Sequence, residues 1–157
     1  MLFKFKIMVN TFKILIISTL GLWITSCEKK ENETKISKYN ETESHNQGQN
    51  CMACHVSGGK GEGYFNVAGT VYDSTLTAYN PNTTVYLYSQ QNGQGDLRYT
   101  IQVDGLGNFY TTEVIDFGNG LYPVIKSNSG ERYMSSPIST GACNSCHGYS
   151  TSKLWVD

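Results

Sequence analysis

Hydrophobic positions along this chain fall into three regimes. From Ile14 to Ile24 they run almost unbroken, interrupted only by Ser18, Thr19 and Gly21. From Glu28 to Asn50 they nearly vanish, and Ile36 and Tyr39 stand alone among polar residues. From Val67 onward they alternate with polar residues in short runs. Thr84–Tyr88 puts Val85 and Leu87 on one face and Tyr86 and Tyr88 on the other. Val67–Tyr72, Tyr99–Val103, Phe109–Ile115, Leu121–Ser127 and Glu131–Ser135 read the same way, and a period of two predicts strands. Asp104–Asn108, Asp116–Gly120 and Asn128–Gly130 supply the Gly, Asn and Asp that turns demand. No ten-residue stretch after Cys27 repeats with a helical period. The expectation is an all-β fold, an antiparallel β-sandwich with its core at about 64–138.

The first regime is an export signal. Lys4, Lys6 and Lys13 precede the apolar run, which is too short for a comfortable membrane span. The run closes on Ile24-Thr25-Ser26-Cys27, which resembles the bacterial lipobox. That resemblance implies removal of residues 1–26 and acylation of Cys27, with the acyl chains holding the chain to a membrane. An ordinary signal peptide with an incidental Cys is the plainer alternative. Glu28, Lys29, Lys30, Glu31 and Glu33 resemble the charged stretch that sends some bacterial lipoproteins to the cell surface. The expected location is therefore the periplasmic face or the surface of the outer membrane. Residues 27–50, too polar to build a core, read as a flexible tether to a domain at 51–157.

Charge excludes other classes. The formal net charge is −1, and loss of the three leader lysines takes it to −4. Neither a nucleic-acid partner nor a polybasic membrane surface fits that balance.

Five cysteines carry the chemistry, and four lie in two copies of one motif. Cys51-Met52-Ala53-Cys54-His55 and Cys143-Asn144-Ser145-Cys146-His147 are both C-x-x-C-H. Each resembles the c-type haem attachment site. Two Cys three apart on one turn can each form a thioether to a haem vinyl group, and the adjacent His can present its ring to the iron. The resemblance implies two covalent haem c groups, with Cys51, Cys54, Cys143 and Cys146 as thioether donors and His55 and His147 as proximal iron ligands. A structural zinc site uses the same paired Cys, but its pairs are rarely so far apart in sequence, and it leaves both His without a role. Disulfides within C-x-x-C close very small loops and add little stability. A thioredoxin-like site needs a preceding strand, which Gln47–Asn50 does not offer.

Distal ligation is constrained by supply. The chain has three His, so His45 is the single spare imidazole and two bis-His haems cannot be built from one chain. In multihaem cytochromes a His just upstream of a motif often ligates a neighbouring haem, which makes His45 a candidate; an exposed tether His is the alternative. Met134 is the thioether candidate for the other iron, ahead of Met52 inside the first motif, and a packed strand methionine is the bland alternative.

Gly69-Thr70-Val71-Tyr72-Asp73, Val85-Tyr86-Leu87, the Asp104…Tyr110 hairpin and Gly120-Leu121-Tyr122 together resemble the carboxypeptidase regulatory-like, transthyretin-like sandwich. That resemblance implies a non-catalytic scaffold. Asp104-Gly-x-Gly-Asn lacks the spaced carboxylates of a calcium loop. The sequence thus points to a membrane-anchored dihaem cytochrome that passes single electrons between redox proteins, with no small-molecule substrate. A small haem peroxidase is one alternative. A zinc-stabilised surface module, using Tyr64, Tyr72, Tyr86 and Tyr88 as an aromatic platform, is the other.

Overall fold

A computed structural model describes residues 34–157. The expected signal peptide, the expected lipidation site Cys27 and the first part of the expected tether lie outside the described residues.

Among the described residues, eight strands form two sheets. The first contains β1 (Val67–Tyr72), β4 (Asn108–Thr111), β7 (Gly141–Ala142) and β8 (Leu154–Trp155), with β1 at its centre. The second runs β3-β2-β5-β6, from β2 (Thr84–Gln90), β3 (Gln94–Gln102), β5 (Tyr122–Lys126) and β6 (Glu131–Tyr133). No α-helix occurs among the described residues. The all-β sandwich is therefore present, and the alternation shows why. In β2, Val85 and Leu87 are buried against the facing sheet, while Tyr86 and Tyr88 lie half-buried on the outer side. Val67, Val71, Ile101, Val103, Phe109 and Ile125 complete the core from both sheets.

Two details depart from the expectation. The pairings of β1 with β7 and with β8 are parallel, so the sheet is mixed. The core also extends past residue 138, because Val156 is fully buried within it.

Residues 34–50, expected as part of a free tether, are instead packed onto the sandwich. Ile36 bridges to Thr111, and Ser37 is buried with its hydroxyl donating to the Gln102 and Tyr110 carbonyls. The Gly48 N–H donates to Thr70 Oγ1 at 2.9 Å, and Asn108 Nδ2 donates to Ser44 Oγ at 2.9 Å. The cause lies in β1, which is buried along its whole length. Val67 and Val71 face the core, so Thr70 on the opposite face needs its own cover. Its buried hydroxyl needs hydrogen-bond partners, and this polar segment supplies one.

Candidate haem-attachment sites

The two C-x-x-C-H motifs fold alike. Cys51–Ala53 and Cys143–Ser145 each form one 3₁₀ turn. In the first, the Cys54 and His55 N–H groups donate to Cys51 O at 3.2 and 3.0 Å; in the second, Cys146 and His147 donate to Cys143 O at 3.2 and 2.9 Å. Even the closing residue matches: Cys54 has φ −112° and ψ −37°, and Cys146 has φ −113° and ψ −51°. All four motif cysteines are free thiols.

Both histidines are oriented in the same way. His55 Nδ1 lies 3.0 Å from the Glu62 carbonyl oxygen, and His147 Nδ1 lies 2.8 Å from that of Ser152. A carbonyl can only accept, so each Nδ1 carries the proton and each Nε2 keeps its lone pair. This is how proteins orient an imidazole that binds a metal. His55 is further fixed by Phe65, stacked at 4.2 Å and 9° between planes, and Phe65 stacks in turn on Tyr110 at 4.8 Å. Gly61 closes against the His55 ring, where an added Cβ would meet it at 2.6 Å.

Each motif opens on its own cavity. The first, of about 540 Å³, is bordered by Cys51, Cys54, His55, His45, Lys60 and Tyr110. The second, of about 530 Å³, is bordered by Cys143, Cys146, His147 and Met134, and reaches the inner-face residues Val85, Leu87 and Phe109. Both volumes lie in the range of cofactor sites, about 300–1,000 Å³. The structure therefore places His45 with His55, at the first cavity, where a role toward a neighbouring site had been expected. Their ring centres are 5.9 Å apart. Both imidazoles border the same cavity, so both would be available to a metal-containing group held there. Met134 borders the second cavity, as a distal thioether there requires, whereas Met52 borders neither. The residues at both cavities thus fit haem c in number and in chemistry.

The environments of the thiols differ. Burial pushes the Cys143 thiol up to about 12, with the neighbouring thiols Cys51 and Cys146 adding to the effect. Burial also raises Cys51, and the charge of Asp104 contributes. Cys54 and Cys146 are exposed.

The alternatives fit less well. Among the described residues no group of three or more His, Cys, Asp or Glu converges as a metal ion would need. The aromatic platform is broken, because Tyr72 is buried against Tyr79, with ring centres 5.1 Å apart. Asp104 Oδ1 accepts from the Leu106 and Asn108 N–H groups at 2.9 Å, so this carboxylate caps its own turn.

Sequence reasoning missed Asn144 and Phe65. Asn144 occupies a variable position of the second motif, and nothing in the one-dimensional pattern marks it.

A family model described as cytochrome c554 and c-prime matches residues 23–76, about a third of the chain, including the first motif and His45. No curated protein and no solved structure matches. The family match supports a c-type cytochrome, with covalently bound haem c, a role in carrying electrons and redox proteins as partners.

Proposed function

We propose that this chain is a dihaem c-type cytochrome, anchored by lipid on Cys27 to the outer membrane, that carries single electrons between redox proteins. The observation that carries the reading is the duplicated geometry. Two motifs 92 residues apart close the same turn and present the same imidazole nitrogen to a cavity of cofactor size. Bound haem c supplies one-electron chemistry at its iron. The chain's own residues do the rest. Cys51 and Cys54 hold one group, and Cys143 and Cys146 hold the other. His55 and His147 provide the proximal nitrogen, each oriented from behind by a backbone carbonyl. His45 would supply a further ligand at the first site, and Met134 one at the second.

Exposure of Cys54 and Cys146 leaves part of each site open to solvent, which suits exchange with a protein partner. The experiment is haem staining on a denaturing gel combined with intact mass. Two covalent haems are expected in the wild type, one in Cys54→Ala and one in Cys146→Ala. A mature protein without covalent haem would sink the reading. Palmitate labelling lost in Cys27→Ala tests the anchor separately.

A further inference from the structure

Between β7 and β8 the chain leaves the edge of β1 to make the second motif. β7 pairs with Val67 and Ala68, and β8 pairs with Val71 and Tyr72. Thr70 falls in the gap between these two registers. The side chain of Asn144 fills the place. Its Oδ1 accepts the Thr70 N–H at 3.2 Å, as a neighbouring strand's carbonyl would. Its Nδ2 donates to Thr70 Oγ1 at 3.1 Å and to the Gln49 carbonyl at 3.0 Å. Gln49 lies two residues before Cys51, so one amide belonging to the second motif grips the approach to the first.

Thr70 completes the connection. Its hydroxyl donates to Asn108 Oδ1 at 2.7 Å and accepts from Asn144 Nδ2 and from the Gly48 N–H, which uses its one proton and both lone pairs. Asn108 Nδ2 then donates to the His45 carbonyl at 3.3 Å and to Ser44 Oγ. Thr70, Asn108 and Asn144 are all buried. A buried, fully satisfied polar network holds its members in one arrangement, because each alternative leaves a group unpaired.

We propose that Asn144, acting through Thr70 and Asn108, is a positioning residue that locks the second attachment motif to the backbone carrying His45, so that the two haem sites share one rigid frame. The inference rests on the dihaem reading for its haem readout and stands apart from it for its backbone readout. Only an amide serves at position 144, because the site needs one acceptor and two donors. A carboxylate would face the Gln49 carbonyl and an already committed Thr70 hydroxyl.

The test compares Asn144→Ala, Thr70→Val and Thr70→Ser in the full chain. Two quantities are read: hydrogen exchange at the Gly48 amide, and the paramagnetic-resonance signature of the haem at the first motif. Loss of one hydrogen bond of about 1 kcal/mol corresponds to roughly fivefold to tenfold faster local exchange. Asn144→Ala and Thr70→Val should speed Gly48 exchange by that factor and shift the signature of the first haem, although Asn144 belongs to the second motif. Thr70→Ser should restore both. If both haems are retained and the first signature and Gly48 protection match the wild type in Asn144→Ala and Thr70→Val, the proposal is overturned. If Asn144→Ala does not fold, the contrast of Thr70→Val with Thr70→Ser decides. Should the wild type carry no haem, the electron-carrier reading falls, and Gly48 exchange alone decides whether the clasp exists.

Discussion

The two C-x-x-C-H motifs have the same backbone turn and different surroundings. The first lies on loop, after the packed segment 34–50, and its cavity is bordered by charged side chains, Lys35, Glu43, Lys60 and Glu62. Across from His55 stands a second imidazole. The other motif is held to the central strand by β7, and its cavity reaches the sandwich core. That cavity is bordered as well by the thioether of Met134 and by Leu87, Phe109 and Ile125. One motif is therefore set in two different linings, and the scaffold decides which side chains border each. If haem were held at both, a Met ligand and the apolar residues bordering the second cavity would raise its potential above that of the first.

The contrast is sharpest in mechanical support. Gly141 packs so closely on β1 that an added Cβ would run into Asn66 O and Val67 Cα, both backbone atoms. Gly69 faces Cys143, whose Cβ would lie 3.0 Å from an added methyl. Gly141→Ala should therefore cost about 3 kcal/mol in urea unfolding and strip haem from the second motif. Gly61→Ala at the first motif meets the His55 side-chain ring first, at 2.6 Å, rather than backbone atoms. Its stability should fall by less than about 1 kcal/mol, with the change showing in the first haem's spectrum instead. Equal losses in the two variants would erase the asymmetry.

Ligand removal probes the chemical side. His45→Ala should keep two covalent haems and alter only the first wave of a redox titration. Met134→Ala should alter only the second, lowering it. If either variant moves both waves equally, the pairing of His45 with the first site and Met134 with the second is wrong.

How much of this contrast the sequence showed depends on the kind of signal. Val85 and Leu87 alternate with Tyr86 and Tyr88, so β2 and its inner face were readable. The motifs were readable because thioether chemistry dictates their spacing. β7 and β8, two residues each, are too short to show a period, and their parallel pairing depends on where β1 lies. Residues 34–50 looked like tether because they pack by hydrogen bonds from Ser37, Ser44 and Gly48, and polar packing leaves no hydrophobic pattern. His45 was visible as a spare imidazole, but its partner was not, since the loop ending at Phe65 brings His55 round to face it.

Thiol reactivity gives a smaller effect that separates the cavities before haem is attached. In haem-free chain, burial holds Cys143 up at about 12. Iodoacetamide at pH 9 should modify exposed Cys54 and Cys146 first and Cys143 last, read by peptide mass. An unfolded Cys loses its proton near the ordinary value of 9.0, while native Cys143 keeps it. Native stability is thus unaffected below pH 9 and falls as pH rises from 9 toward 12. Cys143→Ser should flatten that decline, and an unchanged profile would show that the thiol is not desolvated.

The mildest perturbation tests whether the second cavity's outer wall matters to the first site. The Arg132 guanidinium lies 3.4 Å from the centre of the Trp155 ring, and both residues border the second cavity. Arg132 is exposed, so this cation–π contact contributes about 0.5–1 kcal/mol. Arg132→Ala should lower the melting temperature by a few degrees, and Arg132→Lys should recover part of the loss. Because β8 touches β1 at Val71 and Tyr72, beyond the Thr70 clasp, loosening it should leave the His45–His55 site unmoved. A shift in the first haem's spectrum in Arg132→Ala would mean that the sites communicate through β8 as well as through Asn144.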